Sequence, residues 1–173
     1  MTTVLSQKDI LASMQGETPL VEGYIDLEAQ LQTNGFDLSL RSVAGFASAG
    51  LVTLDNHNRV ISELKPLEFD KDGYIHLAPG AYSITYNEIV HLPKDVMALG
   101  LPRSSLLRCG ASLHTAVWDA GYSGRSESLL VVYNSHGFKL QRNARVLQLI
   151  FMKLTHKSGG YQGRYQGENI KPL

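Results

Sequence analysis

Cysteine is almost missing from this sequence: Cys109 is its only one, so no internal disulfide framework can form and a reducing compartment fits best. Net charge is missing as well. The 16 Lys and Arg balance the 16 Asp and Glu, which removes any global field for nucleic acid or an anionic membrane. An anion site must then be a local construction. No apolar run approaches the ~18 residues of a membrane span, and the start lacks the basic-then-apolar layout of a secretory signal. The expectation is a cytoplasmic protein with neither nucleic acid nor membrane as partner. Cys109 itself reads as small apolar filler.

Helical periodicity is scarce too. Its one clear instance is Ser6 to Met14, with Ser6 as N-cap, Asp9 at the third helical position and Ile10, Leu11 and Met14 as an apolar stripe ending before Gly16. After Gly35 the chain breaks into short apolar or alternating runs: Phe36 to Leu40, Leu51 to Leu54, Val60 to Glu63, Tyr74 to Leu77, Tyr82 to Tyr86, Ile89 to Leu92, Val96 to Leu101, Ser112 to Trp118, Ser128 to Tyr133, Phe138 to Leu140 and Val146 to Leu154. Turn signals such as Asp70-Lys71-Asp72-Gly73 and Asn134-Ser135-His136-Gly137 separate them. The pattern predicts an all-β fold, a sandwich or barrel, with a short N-terminal helix. No repeat or linker divides it, so residues 1–157 read as one domain. The stretch 56–72 is the least patterned and reads as an insertion or lid. Ser158-Gly159-Gly160 is a flexible joint, which makes 158–173 a tail able to close over a ligand and exclude water.

Two features carry chemistry. Arg103, Ser104 and Ser105 follow Pro102 at a strand end, and a guanidinium beside hydroxyl donors suits polyphosphate oxygens. Asp119 stands between Ala116-Val117-Trp118 and the turn Ala120-Gly121-Tyr122-Ser123-Gly124, a carboxylate on a hairpin flanked by aromatics. The six histidines, His57, His76, His91, His114, His136 and His156, show no metal-ligand spacing and read as structural or surface residues.

In order and spacing these residues resemble the dUTPase and dCTP deaminase superfamily, which carries a Pro-Arg-Ser-Ser-Leu phosphate motif and then an Asp-(Ala/Pro)-Gly-(Tyr/Phe)-x-Gly hairpin. Gly35-Phe36-Asp37-Leu38-Ser39-Leu40 is similar to its first motif and Val146 to Phe151 to its fourth. Tyr161-Gln162-Gly163-Arg164-Tyr165-Gln166-Gly167 is similar to the tail of its deaminase-like, archaeal dUTPase branch. The resemblance implies a distorted jelly-roll β-barrel (dUTPase-like), assembled as a homotrimer with active sites at subunit boundaries. It implies that Arg103, Ser104, Ser105 and Gln148 hold the triphosphate, that Arg108 reaches a phosphate or the base pocket, and that Asp119 deprotonates the water attacking the α-phosphorus. Asp37 would lie near the water shell of a Mg2+ ion bound mainly through the nucleotide. The base would meet backbone groups of Ala116, Val117 and Trp118, the deoxyribose Tyr122, and Tyr161, Arg164, Tyr165 and Gln166 would close over the substrate.

The family's deaminases carry a glutamate on the strand after the hairpin. Aligning on Asn134 puts Val131 at that position, and valine cannot carry a proton. The leading reading is therefore a dUTP diphosphatase. The alternatives are a dCTP deaminase, a bifunctional deaminase and dUTPase, or a deoxynucleotide-binding protein without turnover. Another register would turn Glu127 inward, although Glu127 reads as part of the polar turn before the strand.

Overall fold

The structure, a computed structural model, describes residues 3–170. The ends of the expected domain and tail, 1–2 and 171–173, lie outside the described residues. In chain order the elements are β1 (Thr3–Val4), α1 (Gln7–Ser13), β2 (Val21–Glu22), α2 (Leu27–Gln30), β3 (Leu31–Gln32), β4 (Gly35–Phe46), β5 (Leu64–Leu67), β6 (Tyr74–Leu77) and β7 (Gly80–Tyr86). There follow β8 (Ile89–His91), β9 (Val96–Pro102), α3 (Ser104–Arg108), β10 (Ala111–His114), β11 (Ser123–Gly124), β12 (Glu127–Val132), β13 (Phe138–Gln141) and β14 (Arg145–Lys153). A curled nine-stranded sheet runs β1-β14-β4-β7-β12-β10, with β9 on β14 and β3 and β5 on β4, beside the small sheets β11-β8-β2 and β13-β6. The fold is all-β and jelly-roll-like, as its strand content and topology require.

Helix α1 forms where its capping box predicts: Asp9 N–H donates to Ser6 Oγ at 3.3 Å and Ser6 N–H returns a bond to the Asp9 carboxylate at 2.9 Å. Ile10 is fully buried but Leu11 is exposed, so the apolar stripe is narrower than its spacing suggests. Strand β14 shows the period-two pattern directly. Leu147, Leu149 and Phe151 are sealed in the core while Gln148, Ile150 and Met152 are half-buried.

Strand β4 organises the polar interior. Phe36, Leu38 and Leu40 face the apolar core, and the alternate residues Asp37 and Ser39 are equally buried on the other face. A buried polar face survives only if its groups are paired. Glu88, 1% exposed, accepts from Ser39 N–H at 2.8 Å, Ser39 Oγ at 2.6 Å and Gln30 Nε2 at 2.6 Å. Gln30 Nε2 also donates to the Asp37 carbonyl at 2.8 Å, which ties α2 to the strand.

Burial pushes the Glu88 carboxyl above the usual carboxylate range, against the opposing pull of the Ser39 and Gln30 hydrogen bonds. The folded state thus binds this proton more tightly than the unfolded chain. Stability contributed by Glu88 is highest below the ordinary carboxylate pKa of about 4.3 and falls as pH rises toward the folded value. Melting temperatures of the wild type and Glu88→Gln, measured from pH 4 to 8, should therefore show a wild-type advantage that shrinks with rising pH. A constant difference would mean that the carboxyl is not perturbed.

Two runs expected as strands are not strands. Leu51 and Val60 form a single bridge around a 3-10 turn at Asn56–Asn58, and Val52 and Leu54 are almost fully exposed. At its base Ala47 N–H donates to the Glu63 carbonyl at 2.8 Å, and the turn at Asn56–Asn58 ends the pairing after the one bridge. Within the stretch 56–72, Leu64–Leu67 is instead a strand on β4. Cys109 is exposed beyond α3 and is not core filler. No helix among the described residues is long and apolar enough to cross a membrane.

Candidate active site

Between β10 and β12 the chain leaves the sheet as a long hairpin. Trp118 anchors it by exchanging backbone hydrogen bonds with Ala98, N–H to carbonyl at 3.1 Å and carbonyl to N–H at 2.9 Å. The indole needs room beneath it, and Gly100 supplies that room: a Cβ there would lie 2.8 Å from the ring and from the Leu147 side chain. The turn then closes with Tyr122 N–H on the Asp119 carbonyl at 3.0 Å, and the Asp119 side chain stays exposed.

Asp119 stands on the wall of two cavities. The first, about 440 Å³, is lined by Ala116, Val117, Trp118, Asp119, Tyr122, Ser126 and Glu127 from the hairpin region, Ile61 from the excursion, and Tyr161, Tyr165 and Glu168 from the tail. The second, about 380 Å³, lies between Asp119 and Ala120 on one side and Ser158 to Tyr161 on the other. A carboxylate beside aromatic walls can accept a proton next to a stacked ring.

The tail is seated on the hairpin. Tyr161 N–H donates to the Ala120 carbonyl at 2.8 Å, Gly167 N–H to Ser123 at 2.7 Å and Arg125 N–H to Glu168 at 2.9 Å. Gln166 clips both sides of the turn, accepting from Ser123 N–H and donating to the Gly121 carbonyl, each at 3.0 Å. Tyr161 meets Tyr122 edge to face at 5.8 Å, and Tyr165 lies under the Arg59 guanidinium at 5.9 Å. Gly121, at φ +86, is where the two backbones touch, since a Cβ would fall 2.7 Å from the Gly160 Cα. Gly121→Ala should lift the tail while leaving the barrel folded. Limited proteolysis would then cut within 158–170 faster than in the wild type, with melting temperature lowered by roughly 2–8 °C through the strain of an alanine at that φ.

Arg103, Ser104, Ser105, Arg108 and Gln148 do not line this cavity. Gln148 lies on β14, where it pairs with Asp37 on β4 and with Leu101 on β9. Arg103 Nε meets Asp37 Oδ2 at 3.1 Å, and Arg145 Nη1 meets the same oxygen at 3.2 Å. Arg145 also donates to the Ala29 carbonyl. Burial pushes the Asp37 carboxyl up, against the pull of the two guanidiniums. Its other oxygen, Oδ1, is buried and has no hydrogen-bond partner among the described residues. Ser104, Ser105 and Arg108 are exposed on α3, a helical turn that the apolar patterning did not reveal. Arg164 is exposed on the tail.

Of the cavity residues, Ile61, Ser126 and Glu168 had no signature in the sequence, and Glu127 was read as turn. Glu127 begins β12 opposite Thr85, so it does not belong to a preceding turn; its carboxylate accepts from Asn169 Nδ2 at 3.1 Å and faces Ser83 Oγ at 3.4 Å. Val131 is a half-buried strand residue paired with Ser112 and Ala81. Glu168 accepts from the Tyr122 hydroxyl at 2.7 Å. Burial, with the Glu127 charge adding to it, pushes the Glu168 carboxyl up, and burial pushes the Tyr122 hydroxyl up as well, so the phenol stays protonated and donates. Of the histidines, His114 contacts the Tyr133 hydroxyl at 3.2 Å and stays exposed. Among the described residues no group of His, Cys, Asp or Glu is arranged to hold a metal ion.

Comparison with known proteins places these features in one lineage. A probable deoxyuridine 5'-triphosphate nucleotidohydrolase of Methanosarcina mazei is 51% identical over 167 residues, covering 96% of this chain and 98% of the relative. One from Methanococcoides burtonii is 50% identical over 169 residues, covering 97% and 99%. The crystal structure of a 2'-deoxycytidine 5'-triphosphate deaminase from Agrobacterium tumefaciens superposes with a TM-score of 0.67 at 21% identity, over 88% of this chain and 48% of that one, a likeness of fold. The family profile described as dCTP deaminase-like matches residues 4–154, which takes in β2 to β14 and the whole hairpin. With barrel, hairpin and Arg-Ser-Ser turn all inside that match, this chain belongs to the dCTP deaminase-like family.

Proposed function

We propose that this chain hydrolyses dUTP to dUMP and pyrophosphate, with Asp119 as the general base. The observation that carries the reading is the position of Asp119, exposed at the junction of two cavities and beside the Trp118 and Tyr122 rings. Near-full-length identity of about 50% to relatives named for dUTP hydrolysis supports the choice of substrate. Water held by Asp119 attacks the α-phosphorus, the carboxylate takes its proton, and the bond to the bridging oxygen breaks to release pyrophosphate. Because Trp118 spends its backbone groups on Ala98, the edge of the base falls to Ala116 and Val117.

The triphosphate belongs to Arg103, Ser104, Ser105, Arg108 and Gln148. Their separation from the Asp119 cavity within one chain favours a site completed by a second copy, as in a homotrimer with sites at its boundaries. Tyr161, Arg164, Tyr165 and Gln166 belong to the closing tail. The residues fit Mg2+ carried mainly by the nucleotide: Asp37 Oδ1 is a buried acceptor without a hydrogen-bond partner among the described residues, a lone pair that a metal-bound water would satisfy. When bound, the ion neutralises charge on the triphosphate.

One observation favours a second reading. Glu127 lies on the cavity wall, where a carboxyl could serve deamination of dCTP. A product assay separates the two: purified protein with Mg2+ is given dUTP or dCTP, and pyrophosphate, ammonia and nucleotides are followed. The proposal expects dUMP and pyrophosphate from dUTP and no ammonia from dCTP. Ammonia from dCTP would transfer the acid-base role to Glu127.

A further inference from the structure

Beneath the tail lies a hydrogen-bond chain that the hydrolysis reading does not use. Trp118 Nε1 donates to Ser126 Oγ at 2.5 Å, Ser126 Oγ lies 3.1 Å from the Tyr122 hydroxyl, and that hydroxyl donates to Glu168 Oε1 at 2.7 Å. Trp118, Ser126 and Tyr122 are each nearly sealed from solvent, at 5%, 5% and 6% exposure. The ends of the chain dictate its direction. An indole N–H only donates and the Tyr122 hydroxyl gives its proton to Glu168 Oε1, so each proton between them must point toward Glu168. Ser126, having accepted from Trp118, gives its own proton to Tyr122, and Tyr122 gives its proton to Glu168.

We propose that Ser126 and Glu168 are positioning residues that couple docking of the tail to the placement of the Trp118 and Tyr122 rings on the cavity wall. Glu168 is the only member of the chain that belongs to the tail, and it is the terminal acceptor. Undocking removes that acceptor together with the Tyr161 edge contact, and leaves the buried phenol and serine hydroxyls to find new partners. The rings have little room to do so in place: a Cβ at Gly124 would lie 2.5 Å from the Tyr122 hydroxyl oxygen and 3.2 Å from Glu168 Cγ. Closure therefore finishes the surface that meets the nucleoside as well as covering it. That the ligand is a nucleoside triphosphate rests on the dUTP reading; the coupling itself does not.

Trp118 is the only tryptophan in the chain, so its fluorescence reports on this ring alone. The experiment compares wild type, Ser126→Ala, Tyr122→Phe, Glu168→Ala and Glu168→Gln without nucleotide, by emission maximum and acrylamide quenching, and then measures dUTP hydrolysis. The expected result is longer-wavelength emission and greater quenching in Ser126→Ala, Tyr122→Phe and Glu168→Ala. Glu168→Gln, whose amide oxygen still accepts from Tyr122, should return toward the wild type. KM for dUTP should rise about tenfold in Glu168→Ala with a smaller change in kcat, the size expected for leaving a buried hydroxyl without its acceptor. Wild-type quenching in Glu168→Ala and Tyr122→Phe would overturn the coupling, even with dUTP still hydrolysed. Altered quenching without dUTP turnover would instead uphold the coupling and overturn the substrate.

Discussion

Asp119→Asn is expected to lower turnover of dUTP by about 10²–10⁴-fold, the range associated with a general base, while KM changes little. The amide keeps the size of the carboxylate and can still hold a water by hydrogen bonding, but it cannot take the proton that the attack releases. Since Asp119 is exposed and its side chain is not part of the packed core, the substitution should leave stability within about 0.5 kcal/mol of the wild type. Steady-state pyrophosphate release and a thermal melt on the same preparation check both halves. A variant that folds and retains most of the wild-type kcat removes Asp119 from the chemistry.

The largest expected loss of stability comes from Asp37→Ala. Asp37 is 1% exposed and is the shared counter-charge of Arg103 and Arg145, whose side chains remain about a third exposed. Without it two guanidiniums face each other across one strand pair, although the water they retain softens the penalty. The cost should be about 2–4 kcal/mol, somewhat below that of breaking a fully buried pair, or roughly 5–15 °C in melting temperature for a chain of this length. Asp37→Asn distinguishes charge from packing. It keeps the volume and loses the charge, so it should lose most of the same stability; a wild-type melt for the asparagine variant would mean that packing dominates.

How much of this was legible in the sequence follows from how local each signal is. Strand β14 could be read because alternation is a property of adjacent residues, and α1 because its capping box spans only Ser6 to Asp9. Leu51 to Leu54 and Val60 to Glu63 carried the same apolar signal but share only the bridge between Leu51 and Val60, and local composition cannot reveal how far a pairing extends. The five-residue α3 is too short for a helical period to register. In the site, motif order identified the hairpin and the tail. The Ser126, Tyr122 and Glu168 chain could not be read this way, since Glu168 lies 46 residues from Tyr122 and nothing near it in sequence marks its partner. Glu127 was misplaced for a related reason: a polar residue between Ser126 and Ser128 looks like turn, and only pairing with Thr85 makes it strand.

The most direct test of the account is hydrolysis of dUTP in water enriched in oxygen-18, with the label located in the products. Attack of the Asp119-held water on the α-phosphorus predicts label in dUMP and none in pyrophosphate. Label in pyrophosphate would move the attack to the β-phosphorus and contradict the role assigned to Asp119.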